Sequence, residues 1–94
     1  MKAVFCDTFF FLAAINKTDR RHDEAIAWSD SYNGPLLTTT WVVTEVADAL
    51  SGRHNRRMFE LFYQTLNQDR RVRIVAAEQS LWERGVAFYI QRSD

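Results

Sequence analysis

The sequence predicts an α/β domain built on a parallel sheet, and three observations carry that prediction. Short apolar runs rich in β-branched or aromatic residues recur at "KAVFC", "LLTTT" and "VRIVA". Between them stand segments whose apolar residues return every three or four positions, the period of a helix with one buried face. Strand and helix alternate along the whole sequence, and such alternation sets successive strands parallel, with helices crossing between them.

Each element has its own signal. Lys2 to Cys6 reads as a short buried strand, and Asp7 directly after it can cap a helix from Thr8 to about Ile15 by accepting a backbone N–H. "NKTD" is a loop. A second helix is expected from about Arg20 to Tyr32, with Ala25, Ile26, Ala27 and Trp28 as its apolar face. "NGP" is a turn by composition. "LLTTT" is the second strand, with Thr40 placed to cap the helix "WVVTEVADALS". In that helix Val43, Val46, Ala47 and Leu50 form a stripe at i, i+3, i+4 and i+7. "SGRHN" interrupts, and a fourth helix from about Asn55 to Asn67 is expected to bury Phe59, Phe62, Tyr63 and Leu66. "VRIVA" is the third strand. "AEQSLWERGVAFYIQR" closes the series as a fifth helix, with Leu81, Gly85, Phe88 and Tyr89 near one face.

Composition bounds the rest. The chain has 94 residues, the size of one small domain spanning 1–94. At 47% hydrophobic and 14% aromatic, with three Gly and one Pro, it is rich enough for a packed core and unlike a disordered chain. Formal charge is zero at pH 7, so no global field advertises nucleic acid or a membrane surface. The single cysteine, Cys6, lies in an apolar run and implies a reduced, buried thiol. Charged residues interrupt every apolar run before the length of a membrane span, and no signal-peptide pattern opens the chain. A cytoplasmic location is expected. Three strands are few for this architecture, which normally has more and covers both faces.

The chemistry-bearing residues are carboxylates. In open parallel sheets ligands bind beyond the C-terminal strand ends, where Asp7 stands. A carboxylate there can cap the next helix, ligate a hard cation, or do both. Glu45 lies across its helix from the Val43/Val46/Leu50 stripe, with Trp41, Val42 and Ala49 on its side and Asp48 one turn on. It is either a solvated helix residue or a second acid pointing into a cleft with Asp7. Two acids from separate elements would suit Mg²⁺ or Mn²⁺, which take few carboxylates and keep several waters.

"VFCDTFFFLAA", "TTTWVVTEVADAL" and "VRIVAAEQSLWERGVAFYIQRSD", in this order, resemble a PIN domain, in particular the VapC-type toxin ribonucleases. The resemblance covers the whole chain. It implies a three-layer α/β/α fold and a Mg²⁺- or Mn²⁺-dependent endoribonuclease in which water attacks an RNA phosphodiester. The roles of catalytic residue and metal ligand carry onto Asp7 and Glu45. Thr8 follows as a candidate to orient Asp7 or a metal-bound water, with Asp48 and Asp94 as outer candidates. Where the family often has a small polar residue after that hydroxyl, this chain has Phe9. Family members also continue past the "RSD"-like segment into further strands that carry the third and fourth acids. The chain is therefore expected to be incomplete at its C-terminus, with an unpaired edge on the first strand.

The resemblance further implies an antitoxin partner and dimerisation, here through that open edge. Ten of the twelve basic residues are Arg, and the cluster at Arg53, Arg56 and Arg57, just after the Glu45 helix, is the candidate RNA contact; solvated helix ends are the plainer reading. His22 and His54 form no zinc spacing, and Trp28, Trp41 and Trp82 are expected to pack a core or dimer surface. Haloacid-dehalogenase-type phosphatases would need an acid where Phe9 stands, and response-regulator receivers an acidic pair before Asp7; neither is present. The non-enzymatic alternative is a truncated domain that binds an antitoxin or itself and cuts nothing.

Overall fold

Three short strands, Val4–Phe5 (β1), Leu36–Thr39 (β2) and Val72–Val75 (β3), form a parallel sheet in the order β1-β2-β3 in the computed structural model, which describes residues 2–53 and 55–76. Between them lie helices Thr8–Ile15 (α1), His22–Ser31 (α2), Thr40–Ala49 (α3) and Arg56–Gln68 (α4). Val4 pairs with Leu36, and Leu36 with Val72, so these side chains share one face of the sheet with Ile74. The core sits on that face: Leu36, Cys6, Phe11, Val42, Val46, Leu50 and Leu66 are buried together, with Val4, Val72 and Ile74 packed against them. Thr38 is fully buried among them, and its hydroxyl donates to the Cys6 carbonyl at 3.0 Å, so the buried polar atom is satisfied and β2 is tied to the chain just past β1.

Capping explains where the helices start. Asp7 accepts the Phe10 N–H at 2.9 Å and opens α1, and Thr39 accepts the Val42 N–H at 3.2 Å and opens α3. Asp23 and Glu24 occupy the first turn of α2, where negative charge complements the helix dipole. His22 Nδ1 lies 2.8 Å from the Ala13 carbonyl and links the end of α1 to the start of α2. Aromatic pairs join the layers: Phe11 meets Phe62 of α4 edge-on at 5.0 Å, and Phe10 meets Trp28 of α2 at 5.5 Å.

Several expectations shift. β1 is shorter than Lys2–Cys6, and the cap of α3 is Thr39 rather than Thr40, which is the first helical residue. The buried stripe of α3 is Val42, Val46 and Leu50; Val43 is half-buried. On α2 Ala25 is buried, whereas Ile26 and Ala27 are exposed. On α4 only Leu66 is fully buried, and Tyr63 is exposed. Trp28 packs as expected, stacked on Tyr32 at 5.0 Å, and Trp41, expected in a core or a dimer surface, is 52% exposed. The fifth helix, Trp82, His54 and Asp94 lie outside the described residues.

One fastener has no counterpart in the sequence patterns. Arg71, just before β3, binds Asp69 through Nε and Nη2 and donates from Nη1 to the Ser29 and Tyr32 carbonyls at the end of α2. The Asp69 carboxyl is held below its usual range, first by that side-chain hydrogen bond.

Candidate functional site

Asp7 stands where β1 turns into α1, at the C-terminal end of the strand. Its Oδ1 is occupied by the Phe10 N–H. Thr8, the first residue of α1, sends its hydroxyl across to α3 and donates to Glu45 Oε2 at 2.8 Å. α1 and α3 pack against each other, and this bond between residues 37 apart joins the first turn of α1 to the middle of α3. Glu45 is thereby tied to the residue that follows Asp7 in the chain, and Asp7 and Glu45 are both exposed. Thr8, the candidate to orient Asp7 or a metal-bound water, gives its hydroxyl hydrogen bond to Glu45.

Why Thr8 reaches outward is a matter of helix position. Within a helix a threonine hydroxyl can return to the carbonyl four residues back, as Thr44 does to Thr40 at 2.8 Å. At the first residue of α1 no helical carbonyl lies four residues behind. The hydroxyl is left for tertiary contact, and a carboxylate, which only accepts, is a suitable partner.

Hard carboxylate oxygens in an exposed pair fit a small divalent cation, which takes one or two carboxylates and keeps waters. Each group has one oxygen held by the protein, Asp7 Oδ1 and Glu45 Oε2, and one oxygen with no protein donor among the described residues. Among the described residues no cluster of three or more His, Cys, Asp or Glu forms. Asp48 is exposed one turn along α3, and its side chain takes no part in the bonds between α1 and α3 among the described residues.

A cavity of about 460 Å³ lies beside Asp7, between β1, α1 and α2, with Phe5, Phe9, Arg21 and Trp28 in its walls. A larger apolar groove of about 650 Å³ runs between α1, α2 and α4, and neither Asp7 nor Glu45 lines it. Arg53, Arg56 and Arg57 are exposed beyond the C-terminal end of α3, several residues past Glu45, and Arg57 pairs with Glu60 at 3.0 Å. They are not part of the carboxylate pair. Among the described residues no helix is long and apolar enough to cross a membrane.

No family model matches the chain, and no curated protein matches it. Among solved structures it is similar to VapC20 of Mycobacterium tuberculosis, described as a toxin that cleaves the sarcin-ricin loop. The TM-score is 0.77 at 23% identity, over 97% of this chain and 69% of that one. The chain has the fold of a VapC-type PIN domain.

Proposed function

We propose that this chain carries the activity of a PIN-type endoribonuclease, with Asp7 and Glu45 together holding Mg²⁺ or Mn²⁺. The observation behind this reading is the Thr8–Glu45 hydrogen bond, which ties the α3 acid to the residue next to Asp7. When bound, the cation would supply the positive charge that acidifies water and offsets charge building on the phosphate. The chain's own residues do the rest. Asp7 is held by the Phe10 N–H and Glu45 by Thr8, each through one oxygen. Arg53 and Arg56, exposed past the end of α3, would take phosphates farther along the RNA. Asp48 and Asp94 are assigned no direct role.

The proposed substrate is structured RNA, for which the sarcin-ricin loop named for VapC20 is the first one to test. An antitoxin protein would silence the site, and location in the cytoplasm would follow from such a substrate. Incubation with an RNA hairpin and Mn²⁺ should give discrete cleavage. Asp7→Asn and Glu45→Gln should each reduce its rate about 100-fold or more, the equivalent of a few kcal/mol of lost charge stabilisation. Undiminished cleavage by either variant would remove that residue from the site.

A second reading has its own observation. β1 pairs only with β2 among the described residues, and Phe5 on this strand is 53% exposed. Such an edge favours a module that binds a second copy and cuts nothing. A folded, pure protein that associates but leaves RNA intact under Mn²⁺ would select this reading.

A further inference from the structure

Phe9, in the first turn of α1, is 81% exposed, and its ring meets no other ring among the described residues. A lone exposed ring is ordinary. Phe9, however, shares the wall of the cavity of about 460 Å³ beside Asp7 with Trp28 and with Phe5, itself 53% exposed. Arg21 lines the same cavity, and its guanidinium makes no hydrogen bond or ion pair among the described residues, not even with Glu24, which also lines it. These walls select a class of ligand. The volume lies within the range of about 300–1,000 Å³ that encloses small ligands. Two acids, Asp7 and Glu24, stand against one guanidinium, so a free polyphosphate would be repelled more than held. A flat ring carrying a single negative charge answers both the exposed aromatics and the unpaired arginine, and a nucleotide within a strand is such a group. We infer that the cavity beside Asp7 is a subsite for one unpaired nucleotide of the RNA, its base stacked on Phe9 and its phosphate held by Arg21. The inference rests on the reading of RNA as substrate. Stacking tolerates any base, so the subsite grips a looped-out nucleotide rather than reading a sequence.

Fluorescence titration with hairpin RNAs carrying 2-aminopurine at successive loop positions tests this in an Asp7→Asn background, where asparagine keeps the helix cap and cleavage does not consume the probe. Binding should quench the analogue at one loop position. Adding Phe9→Ala or Phe9→Leu should weaken binding about 10-fold and abolish the quench, whereas Phe9→Trp should keep both, because a base stacks on a flat ring and not on apolar bulk. Arg21→Gln should weaken binding and lower its salt dependence by about one ion. Phe9 and Arg21 are exposed, so the variants should keep the parent circular dichroism spectrum. If the parent binds the hairpin, and the alanine and leucine variants bind and quench like it, the cavity is no nucleotide subsite and the reading of RNA as substrate survives. If those variants leave RNA binding unchanged and instead dissociate a dimer in sedimentation, a second copy fills the cavity and the inference is overturned. If the parent binds no hairpin, the RNA reading falls and this inference with it.

Discussion

Asp7 serves as a helix cap through Oδ1, and its Oδ2 takes no donor among the described residues, so the structural and the chemical reading of this residue are compatible. Its capping role was legible in the sequence, because an aspartate between an extended run and a helical run has few other places to put its carboxylate. Glu45's partner was not legible. The Thr8–Glu45 contact joins residues 37 apart, and no local pattern encodes it. Cys6 was foreseen as a buried thiol, and it is 3% exposed. Burial first, and the nearby Asp7 charge second, push its pKa up to about 11. Thiolate is therefore scarce at pH 8, and iodoacetamide should label the folded protein far more slowly than the urea-unfolded one. Equal labelling rates would show that the β1 end is open in solution.

Among the elements, α3 shows how a one-residue ambiguity rotates a helix face by about 100°. Val42 and Val43 are both apolar, and the stripe could be drawn through either; packing chose Val42, Val46 and Leu50. Val46 is fully buried, so Val46→Ala should cost about 2 kcal/mol in chemical denaturation, from lost apolar contact and a residual cavity. In α1 the apolar residues run in sequence rather than in a stripe, and periodicity could not choose among Phe9, Phe10 and Phe11. Phe11 went inside while Phe9 is 81% exposed. The junction of α2 with β3 depends on Arg71, and Arg71→Met should cost about 2 kcal/mol by stranding Asp69 and two carbonyls. Asp69 has a folded pKa below its unfolded one, so its contribution is present above about pH 4 and is lost as pH falls through the folded value. Thermal melts should show a smaller loss between pH 7 and pH 3 for Asp69→Asn than for wild type. An unchanged loss would mean that the pair contributes nothing.

For the whole molecule, strand and helix alternation was enough to give the parallel sheet, while its order β1-β2-β3 comes from the structure and accords with the rule that successive parallel strands commonly lie side by side. What the alternation does not encode is which edge remains open, because edge pairing is decided by segments distant in the chain. Among the described residues β1 is paired on one side only. If a second copy pairs there, sedimentation should reveal a concentration-dependent dimer that Phe5→Lys weakens, a charge on an edge strand being a common bar to pairing. A dimer indifferent to that change would place the contact elsewhere.

The proposal that one ion is shared between the two carboxylates is tested most directly by Mn²⁺ titration of Asp7→Asn, Glu45→Gln and the double variant. A shared ion predicts that each single change removes most of the binding free energy and that the second adds little, a strongly non-additive cycle. Additive losses from two independent positions would contradict it.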